Sequence, residues 1–134
     1  MLPLVLIAMA ASIIVVGGTI RIHDAGESCP DWPQCFGTWG FMVDESEQAA
    51  YWEANPDQID SRGADHRYTI FEIFVEWFHR MLVGIIAIPI LINAVVAHRL
   101  KSEYGNGLRN LAAVSGVLLV VQAIAGAVTV FFDN

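Results

Sequence analysis

The stretch MLVGIIAIPILINAVVA, residues 81–97, contains no charged side chain. The apolar character extends back through residues 70–75. Because the hydrocarbon core of a bilayer is about 30 Å thick and an α-helix rises about 1.5 Å per residue, a spanning helix needs about 20 such residues. The stretch therefore predicts a membrane-spanning helix over residues 70–98, and Pro89 inside it predicts a kink.

Two further runs of the chain, residues 2–20 and 110–132, are also free of charge. The first contains Ala8-Met9-Ala10, which could be the cleavage site of a signal peptide. No basic segment precedes that site, however, and the apolar run continues for ten residues beyond it, which favours a spanning helix. A third spanning helix is expected over about residues 109–132, after a turn at Gly105-Asn106-Gly107.

These helices imply a simple organisation. The chain of 134 residues is 55% hydrophobic, which is above the usual apolar share of a soluble domain. Its length suits a single membrane domain, residues 1–134. The prediction is an all-α membrane protein with three transmembrane helices over about residues 2–20, 70–98 and 109–132, and a long outer loop over residues 21–69.

The charges are unevenly distributed along the chain. Twelve of the 14 acidic residues lie between Asp24 and Glu76, whereas the short loop after the second predicted helix holds three basic side chains and one acidic side chain. Short basic loops remain on the cytoplasmic side of a membrane. The N-terminus is therefore expected in the cytoplasm and the loop over residues 21–69 outside. The net charge of −7 argues against nucleic acid as a partner.

The outer loop contains the two cysteines of the chain, in CPDWPQC, residues 29–35. The predicted outer compartment is oxidising in bacteria and in the mitochondrial intermembrane space, so a disulfide between Cys29 and Cys35 is allowed there. Two roles remain open: a disulfide that only staples the loop, and a redox-active pair that exchanges with a substrate or holds an adduct. A metal site is disfavoured, because His23 is the only nearby candidate for a further ligand. Later in the loop, residues 45–53 are expected to form a short surface helix, with Trp52 on the membrane interface.

A polar stripe occurs in FEIFVEWFHRML, residues 71–82. On a helix, Glu72 and Glu76 lie one turn apart, and Glu76 and His79 are also neighbours, so these side chains and Arg80 face one direction. Ionisable groups at membrane depth are costly and usually mark a site. Histidine can hold a haem iron through one ring nitrogen, and a nearby carboxylate can orient the ring or act on a bound substrate. The alternative is that the stripe lies in the headgroup zone and binds nothing.

The third predicted helix carries one central amide, Gln122, and a face of small residues. Gln122 is interpreted as an interhelical hydrogen-bond partner rather than a ligand. The small residues would allow close packing on a neighbouring helix or on a flat cofactor, as would Gly84 and Ala87 on the second predicted helix. Gly17-Gly18, near the outer end of the first helix, likewise permits close approach of another group.

Three segments of the chain have counterparts in a known family. GGTIRIHDAGESCPDWPQCFG (residues 17–37), EWFHR (residues 76–80) and VVQAIAGAVTV (residues 120–130) resemble, in order and spacing, the first outer loop, second helix and third helix of the haem A synthase family. The cysteine motif of the loop is the most specific of the three. The chain departs from the family pattern at Glu27, where a hydrophobic residue is common, and it lacks a proline that usually follows the second cysteine.

The resemblance implies an activity and a set of site residues. Members of the family oxidise a methyl group of haem O to a formyl group, by successive hydroxylations, and so make haem A for cytochrome oxidase. Carried over by position, His79 is implied as an axial ligand of the haem iron and Glu76 as a catalytic carboxylate. Arg80, beside them in the polar stripe, is a further candidate cofactor-binding residue. Cys29 and Cys35 are implied to form a disulfide beside the haem.

The resemblance also implies parts that these 134 residues do not contain. The unit of the family is a four-helix haem-binding bundle whose fourth helix supplies a second axial histidine, and full-length members carry haem B in a C-terminal half. We therefore expect a second chain or a second half that provides the other axial histidine, although two copies of this chain could also supply two histidines. The other expected partners are haem O, as substrate, and membrane lipid.

The leading hypothesis is an enzyme, the N-terminal part of a haem A synthase-type oxidoreductase. Its expected location is a bacterial or archaeal plasma membrane rather than the mitochondrial inner membrane. The main alternative is a non-catalytic haem-binding or accessory membrane protein. A membrane thiol–disulfide oxidoreductase is disfavoured because such enzymes usually need a second cysteine pair. A purely structural subunit would leave Glu76 and His79 unexplained.

Overall fold

The computed structural model describes residues 2–132 of the chain. Met1, Asp133 and Asn134, which belong to the predicted domain over residues 1–134, lie outside the described residues. The described part contains four α-helices, one short 3₁₀ helix and no β-strand. In chain order the elements are α1 (Leu2–Ile22), α2 (Glu45–Ala54), the 3₁₀ helix Pro56–Gln58, α3 (Ile70–Arg99) and α4 (Lys101–Phe132).

Three of these helices are long and apolar enough to cross a membrane. The candidate spans are Leu4–Ile22 in α1, Ile70–Arg99 in α3 and Gly105–Val128 in α4. The prediction of an all-α membrane protein with three transmembrane helices is confirmed. α3 is the central helix of the three, since it packs against both α1 and α4.

α3 begins at Ile70 because Thr69 and Glu72 form a capping box. The Thr69 hydroxyl accepts a hydrogen bond from the Glu72 backbone N–H (3.3 Å), and the Glu72 carboxylate accepts one from the Thr69 N–H (2.8 Å). These bonds satisfy two of the backbone donors that the start of a helix leaves unpaired. The helix then continues through Pro89 to Arg99. The polar stripe predicted in residues 71–82 therefore lies on the first turns of α3.

α4 contains one non-helical residue near its start, Gly105 (φ 80°, ψ 176°). Glycine adopts a positive φ readily because it has no Cβ. The turn predicted at residues 105–107 is present at its first residue, but the predicted helix start at residue 109 is too late, because the helix resumes directly after the break. Farther along, α4 lies close to α3, where a Cβ at Gly116 would be 3.9 Å from the Ala94 Cβ.

The segment between α1 and α3, residues 23–69, is called the cap below and packs onto one end of the helices. Its hydrophobic core is a cluster of buried residues that also includes Ile73 of α3. Both cysteines belong to this cluster. The other members are Phe36, Val43, Trp52 and Tyr68. The cap is thus a packed unit with its own core, and that core holds it against α3.

α2 lies in the cap and begins after Asp44, which forms a capping box with Glu47. The surface helix predicted over residues 45–53 is confirmed and is one residue longer. The predicted location of Trp52 on the membrane interface is wrong. Its side chain is 2% exposed and meets the Phe36 ring edge to face, with 5.3 Å between ring centroids. Burying the large aromatic surface of the ring in the cap core is more favourable than placing it at a membrane interface.

Two tyrosines of the cap make its stability depend on pH. Burial raises the pKa of Tyr51 to about 12. Burial, and then the hydrogen bond that its hydroxyl donates to Asp60, raises the pKa of Tyr68. In the unfolded chain both phenols ionise near pH 10. Because the unfolded state loses these protons first, we expect the free energy of unfolding to fall as the pH rises above about 10.

The measurement is the thermal unfolding midpoint of the cap, followed by tryptophan fluorescence from about pH 8 to about pH 11.5. The double variant Tyr51→Phe, Tyr68→Phe should be less stable at neutral pH, since Asp60 loses a hydrogen-bond donor. Its midpoint should nevertheless change less at alkaline pH than that of the parent chain. An equal alkaline decline in both proteins would contradict the assignment to these two phenols.

Candidate functional site

A cleft of about 640 Å³ lies between α1, α3 and α4. This volume is within the range of about 300–1,000 Å³ that is usual for ligand pockets. Three polar side chains of α3, namely Glu76, His79 and Arg80, line the cleft, and most of the remaining wall is apolar. Of the four side chains that the sequence predicts to face one direction, these three line the cleft, whereas Glu72 caps the start of α3. The concave, mainly apolar shape with a few convergent polar groups is typical of a ligand site.

The cap covers the end of the cleft at which these polar residues lie. Trp32, Pro33 and Trp39 line the cleft from the cap side and are called the roof below. Both tryptophans keep a large part of their surface exposed, 44% for Trp32 and 62% for Trp39. The roof thus offers two aromatic surfaces to whatever occupies the cleft.

His79 is half-buried in the cleft wall, and its ring faces Gly17 of α1. A Cβ atom at Gly17 would lie 3.2 Å from His79 Nε2, which is tighter than ordinary contact. The ring therefore packs closely on α1 at this position, an approach that glycine permits because it has no side chain. Among the side chains that the structure describes, none is hydrogen-bonded to a ring nitrogen of His79. A ring nitrogen is therefore available to bind a metal ion.

The surroundings of His79 indicate which kind of metal would fit. Among the described residues, no group of three or more His, Cys, Asp or Glu side chains is arranged to hold a metal ion. His79 would therefore be the one ligand that the described residues supply to a metal in this cleft. A haem would need few ligands from this chain, because the porphyrin itself holds the iron and histidine is a usual protein ligand for it. The residues of the cleft fit a haem better than a free ion.

The Glu76 carboxylate is buried, and its partners lie in the cap and on α3 itself. Oε2 accepts hydrogen bonds from the Ser28 hydroxyl and from the Cys29 N–H, both at 2.9 Å. Oε1 accepts one from Arg80 Nη2 at 2.6 Å, in an ion pair one turn along the helix. Glu76 therefore ties α3 to the start of the cysteine motif, and it also lines the cleft.

The Arg80 guanidinium is directed at backbone carbonyls of the cysteine motif. Nη2 donates to Cys29 O at 2.8 Å, and Nη1 donates to Gln34 O at 2.7 Å and to Asp31 O. Together with the ion pair to Glu76, these bonds engage both terminal nitrogens of the side chain. The predicted cofactor-binding role of Arg80 stays a prediction, and the contacts within the chain indicate a different role.

Cys29 and Cys35 form a disulfide, as the family resemblance implied. The bond closes a ring over residues 29–35, called the cysteine ring below, in which the Trp32–Pro33 peptide is cis. Both cysteines are at most 1% exposed. A thiol of another molecule would have to displace the ring before it could attack either sulfur. Of the two roles that the sequence leaves open, this burial favours a structural staple over thiol exchange.

Removal of the disulfide is expected to loosen the cap. The double variant Cys29→Ala, Cys35→Ala should lower the free energy of unfolding of the cap by about 2 kcal/mol, the loop-closure entropy for so short a ring. Alanine is chosen because it adds no hydroxyl to this buried position. The measurement is denaturant unfolding followed by tryptophan fluorescence. The parent chain, treated with a reductant after partial unfolding, should shift to the same midpoint; an unshifted midpoint in the double variant would contradict a stapling role.

Glu72 and the remaining histidines lie outside the cleft. Glu72 caps α3, His23 packs edge to face on a phenylalanine ring, and His66 is hydrogen-bonded to an arginine of the cap. His98 lies in the last turn of α3, at the end opposite the cap. Gln122 lines the cleft from α4, and its predicted interhelical hydrogen bond stays a prediction. The structure thus leaves His79 as the histidine of the cleft.

Two residues that hold the site together were missed from the sequence. Ser28, which is fully buried, donates its hydroxyl to Glu76, and Trp77 donates its indole N–H to the backbone oxygen of Trp39 at 2.7 Å. Ser28 directly precedes Cys29, and Trp77 lies within the EWFHR motif, so both are next to predicted site residues in the sequence. No local spacing rule, however, connects residues that lie 38 or 48 positions apart.

The fold and the site define a class of protein: a helical membrane protein whose cleft presents a histidine beneath a disulfide-closed cap. A family model, COX15-CtaA, described as a cytochrome oxidase assembly protein, matches residues 1–133. The chain therefore belongs to this family of cytochrome oxidase assembly proteins, and the predicted family resemblance is confirmed. Neither a search of curated proteins nor a search of solved structures gave a significant match.

Proposed function

We propose that this chain is the haem O-binding part of a haem A synthase-type oxidoreductase, which oxidises a methyl group of haem O to the formyl group of haem A. The observation that carries the proposal is the setting of His79. Its ring lines a cleft of suitable volume, and the described side chains make no hydrogen bond to it. Membership of a cytochrome oxidase assembly family supports the same activity.

The proposed roles follow from the position of each residue. His79 would hold the iron of haem O, which is the substrate and brings the methyl group to be oxidised. Glu76 lines the cleft one turn from His79, so its carboxylate would be the group that exchanges protons with the substrate. Its hydrogen bonds to Ser28 and Cys29 keep the carboxylate in place. The apolar walls would exclude water from the cleft.

The proposal includes a partner and an orientation. A second chain or a second half would supply the other axial histidine and carry haem B, and the N-terminus would lie in the cytoplasm with the cap outside. The basic residues around the connection between α3 and α4 support this orientation. The cap, at the opposite end of α3, would then lie in an oxidising compartment, where its disulfide persists. A bacterial or archaeal plasma membrane provides both conditions.

A second candidate, a haem-binding accessory protein without catalysis, is favoured by one observation. The charged groups beside His79 are already engaged, since Glu76 and Arg80 are hydrogen-bonded to each other and to the cap. Under this hypothesis Glu76 would have no part in proton transfer. His79 would hold haem for delivery to another protein.

The first experiment is to purify the chain in detergent from cells that make haem O, then extract and identify the bound haem. We expect haem O, or haem A if a partner completes the site, and we expect its loss in His79→Ala. No haem, or haem B that His79→Ala leaves unchanged, would overturn the proposal.

A second experiment separates the enzyme from the accessory protein. Glu76→Gln keeps the size of the side chain and can still accept from the cap, but it cannot exchange a proton in the same way. When this variant is co-produced with the rest of the synthase, the enzyme hypothesis predicts bound haem O without haem A. Haem A at the parent level would favour the accessory protein.

A further inference from the structure

The roof of the cleft is attached to α3 at two separate points. The first is the cysteine ring, which contains Trp32 and Pro33 and has three of its carbonyls bound by Arg80. The second is Trp39, whose backbone oxygen accepts the indole N–H of Trp77 at 2.7 Å. Both anchors are side chains of α3, and both reach backbone atoms of the cap rather than its side chains. The attachment therefore positions the roof backbone, and the exposed roof side chains remain free to meet a ligand.

The two anchors share a helical turn with His79. Successive residues of a helix are about 100° apart, so the order around α3 is His79, Glu76, Arg80 and Trp77, within an arc of about 160°. His79 lies at one edge of this arc, and Arg80 and Trp77, which bind the roof, lie toward the other edge. The distance between the His79 ring and the roof is therefore set by a single rigid element.

The strength of the first anchor follows from its chemistry. The Arg80 hydrogen bonds are charge-assisted, and arginine presents its donors in a fixed planar fork. Glu76 balances the charge at 2.6 Å, with the arginine and glutamate side chains 10% and 7% exposed. Hydrogen bonds to a charged group are stronger than those between neutral groups. Arg80 is thus a strong restraint on the cysteine ring.

We propose that Arg80 and Trp77 are positioning residues, which hold Trp32, Pro33 and Trp39 as an aromatic roof against a flat macrocycle bound at His79. The inference rests on the proposed function, since haem O is the macrocycle considered. Arg80 would act through the cysteine ring, whose carbonyls it binds. Planar aromatic groups that pack on a flat ligand contribute both apolar contact and ring-to-ring attraction. A displaced roof would lose these contacts while the histidine ligand remained.

The test compares Arg80→Gln, Arg80→Lys and a matched control, Arg62→Gln. Arg62 also binds the cap backbone, at Asp24 O, and forms an ion pair with the Asp24 carboxylate at 2.9 Å, but it does not line the cleft. Two quantities are measured on the full chain in detergent. They are the rate at which a water-soluble phosphine reduces the disulfide, and the Kd for added haem O with its absorption spectrum.

For Arg80→Gln we expect reduction of the disulfide at least about tenfold faster and a Kd for haem O at least about tenfold higher, from the loss of charge-assisted hydrogen bonds. The absorption spectrum of the haem that still binds should retain the signature of histidine ligation. Arg80→Lys should lie between Arg80→Gln and the parent, because lysine keeps the charge but not the fork. Arg62→Gln should match the parent in both measurements.

A second variant covers the case in which Arg80→Gln does not fold. Trp77→Phe keeps an aromatic ring in the packing but removes the donor to Trp39. It should weaken haem O binding while the disulfide is reduced at the parent rate, because the cysteine ring keeps its own anchor.

Three results would overturn the inference: parent values in Arg80→Gln, equal changes in Arg62→Gln, or a lower melting temperature in Arg80→Gln with unchanged haem affinity. Failure of the proposed function looks different, because the parent chain itself would then bind no haem O. In that case, faster reduction of the disulfide in Arg80→Gln would still support the role of Arg80 in holding the cysteine ring.

Discussion

Replacement of His79 by alanine is expected to abolish haem binding while the helices and the cap remain folded. The ring of His79 is the group in the cleft with a nitrogen free for iron, whereas Glu76 and Arg80 are bonded to each other and to the cap. Loss of a residue that merely orients a metal ligand costs about 10–100-fold in affinity. Loss of the ligand itself should therefore raise the Kd for haem by at least about a hundredfold.

The measurement is the absorbance of bound haem after titration into the purified protein, with far-ultraviolet circular dichroism to verify the fold. His66→Ala is a suitable control, because His66 is a cap histidine that contacts Arg62 at 3.2 Å and the Tyr68 ring. It should bind haem like the parent. Imidazole added to His79→Ala should restore part of the absorbance, since it can occupy the vacated space. An unchanged haem spectrum in His79→Ala would eliminate it as the ligand.

The second large effect is expected at Gly17. A Cβ at this position would lie 3.2 Å from His79 Nε2, and the branched side chain of valine would extend farther into the same space. In Gly17→Val the ring must move away from its position against α1, and the histidine ligand is then misplaced. We expect haem affinity to fall at least about tenfold, equivalent to about 1.4 kcal/mol.

The adjacent glycine provides the control for this prediction. A Cβ at Gly18 would have no heavy atom within 4 Å, so Gly18→Val changes the helix propensity of α1 equally without approaching His79. The Kd for haem and the thermal midpoint are measured for both variants. Equal loss of affinity in the two would show that the effect comes from α1 itself. A lower affinity in Gly17→Val alone would support the packing of the His79 ring on Gly17 as a requirement for haem binding.

The helices were largely predictable because their signals are local. Residues 2–20, 70–98 and 109–132 were predicted to span the membrane, and the corresponding helices are Leu2–Ile22, Ile70–Arg99 and Lys101–Phe132. The start of α4 was placed too late, since a single glycine with φ 80° suffices for the break in the helix. Gly105, Asn106 and Gly107 are all residue types that favour turns, but composition does not reveal how many of them leave the helical conformation.

The cap shows where such reasoning fails. Trp52 has the amphipathic character of an interfacial residue, yet it is buried against Phe36 in the core of the cap. Its location depends on which aromatic rings the chain brings together, and that is a property of the packed cap. The spacing of apolar residues in α2 does not distinguish a tryptophan that faces lipid from one that faces the core of the cap.

The candidate site divides in the same way. The sequence alone determined that Glu76, His79 and Arg80 share a helical face in a membrane span, because that follows from a spacing of about 3.6 residues per turn. Only the tertiary structure decided what those side chains do: Glu76 bonds to Ser28, and Arg80 holds the cysteine ring, while His79 is left facing Gly17. The physical reason is that helical periodicity is a short-range property, whereas hydrogen-bond partners nearly 50 positions apart are chosen by how the cap packs on α3.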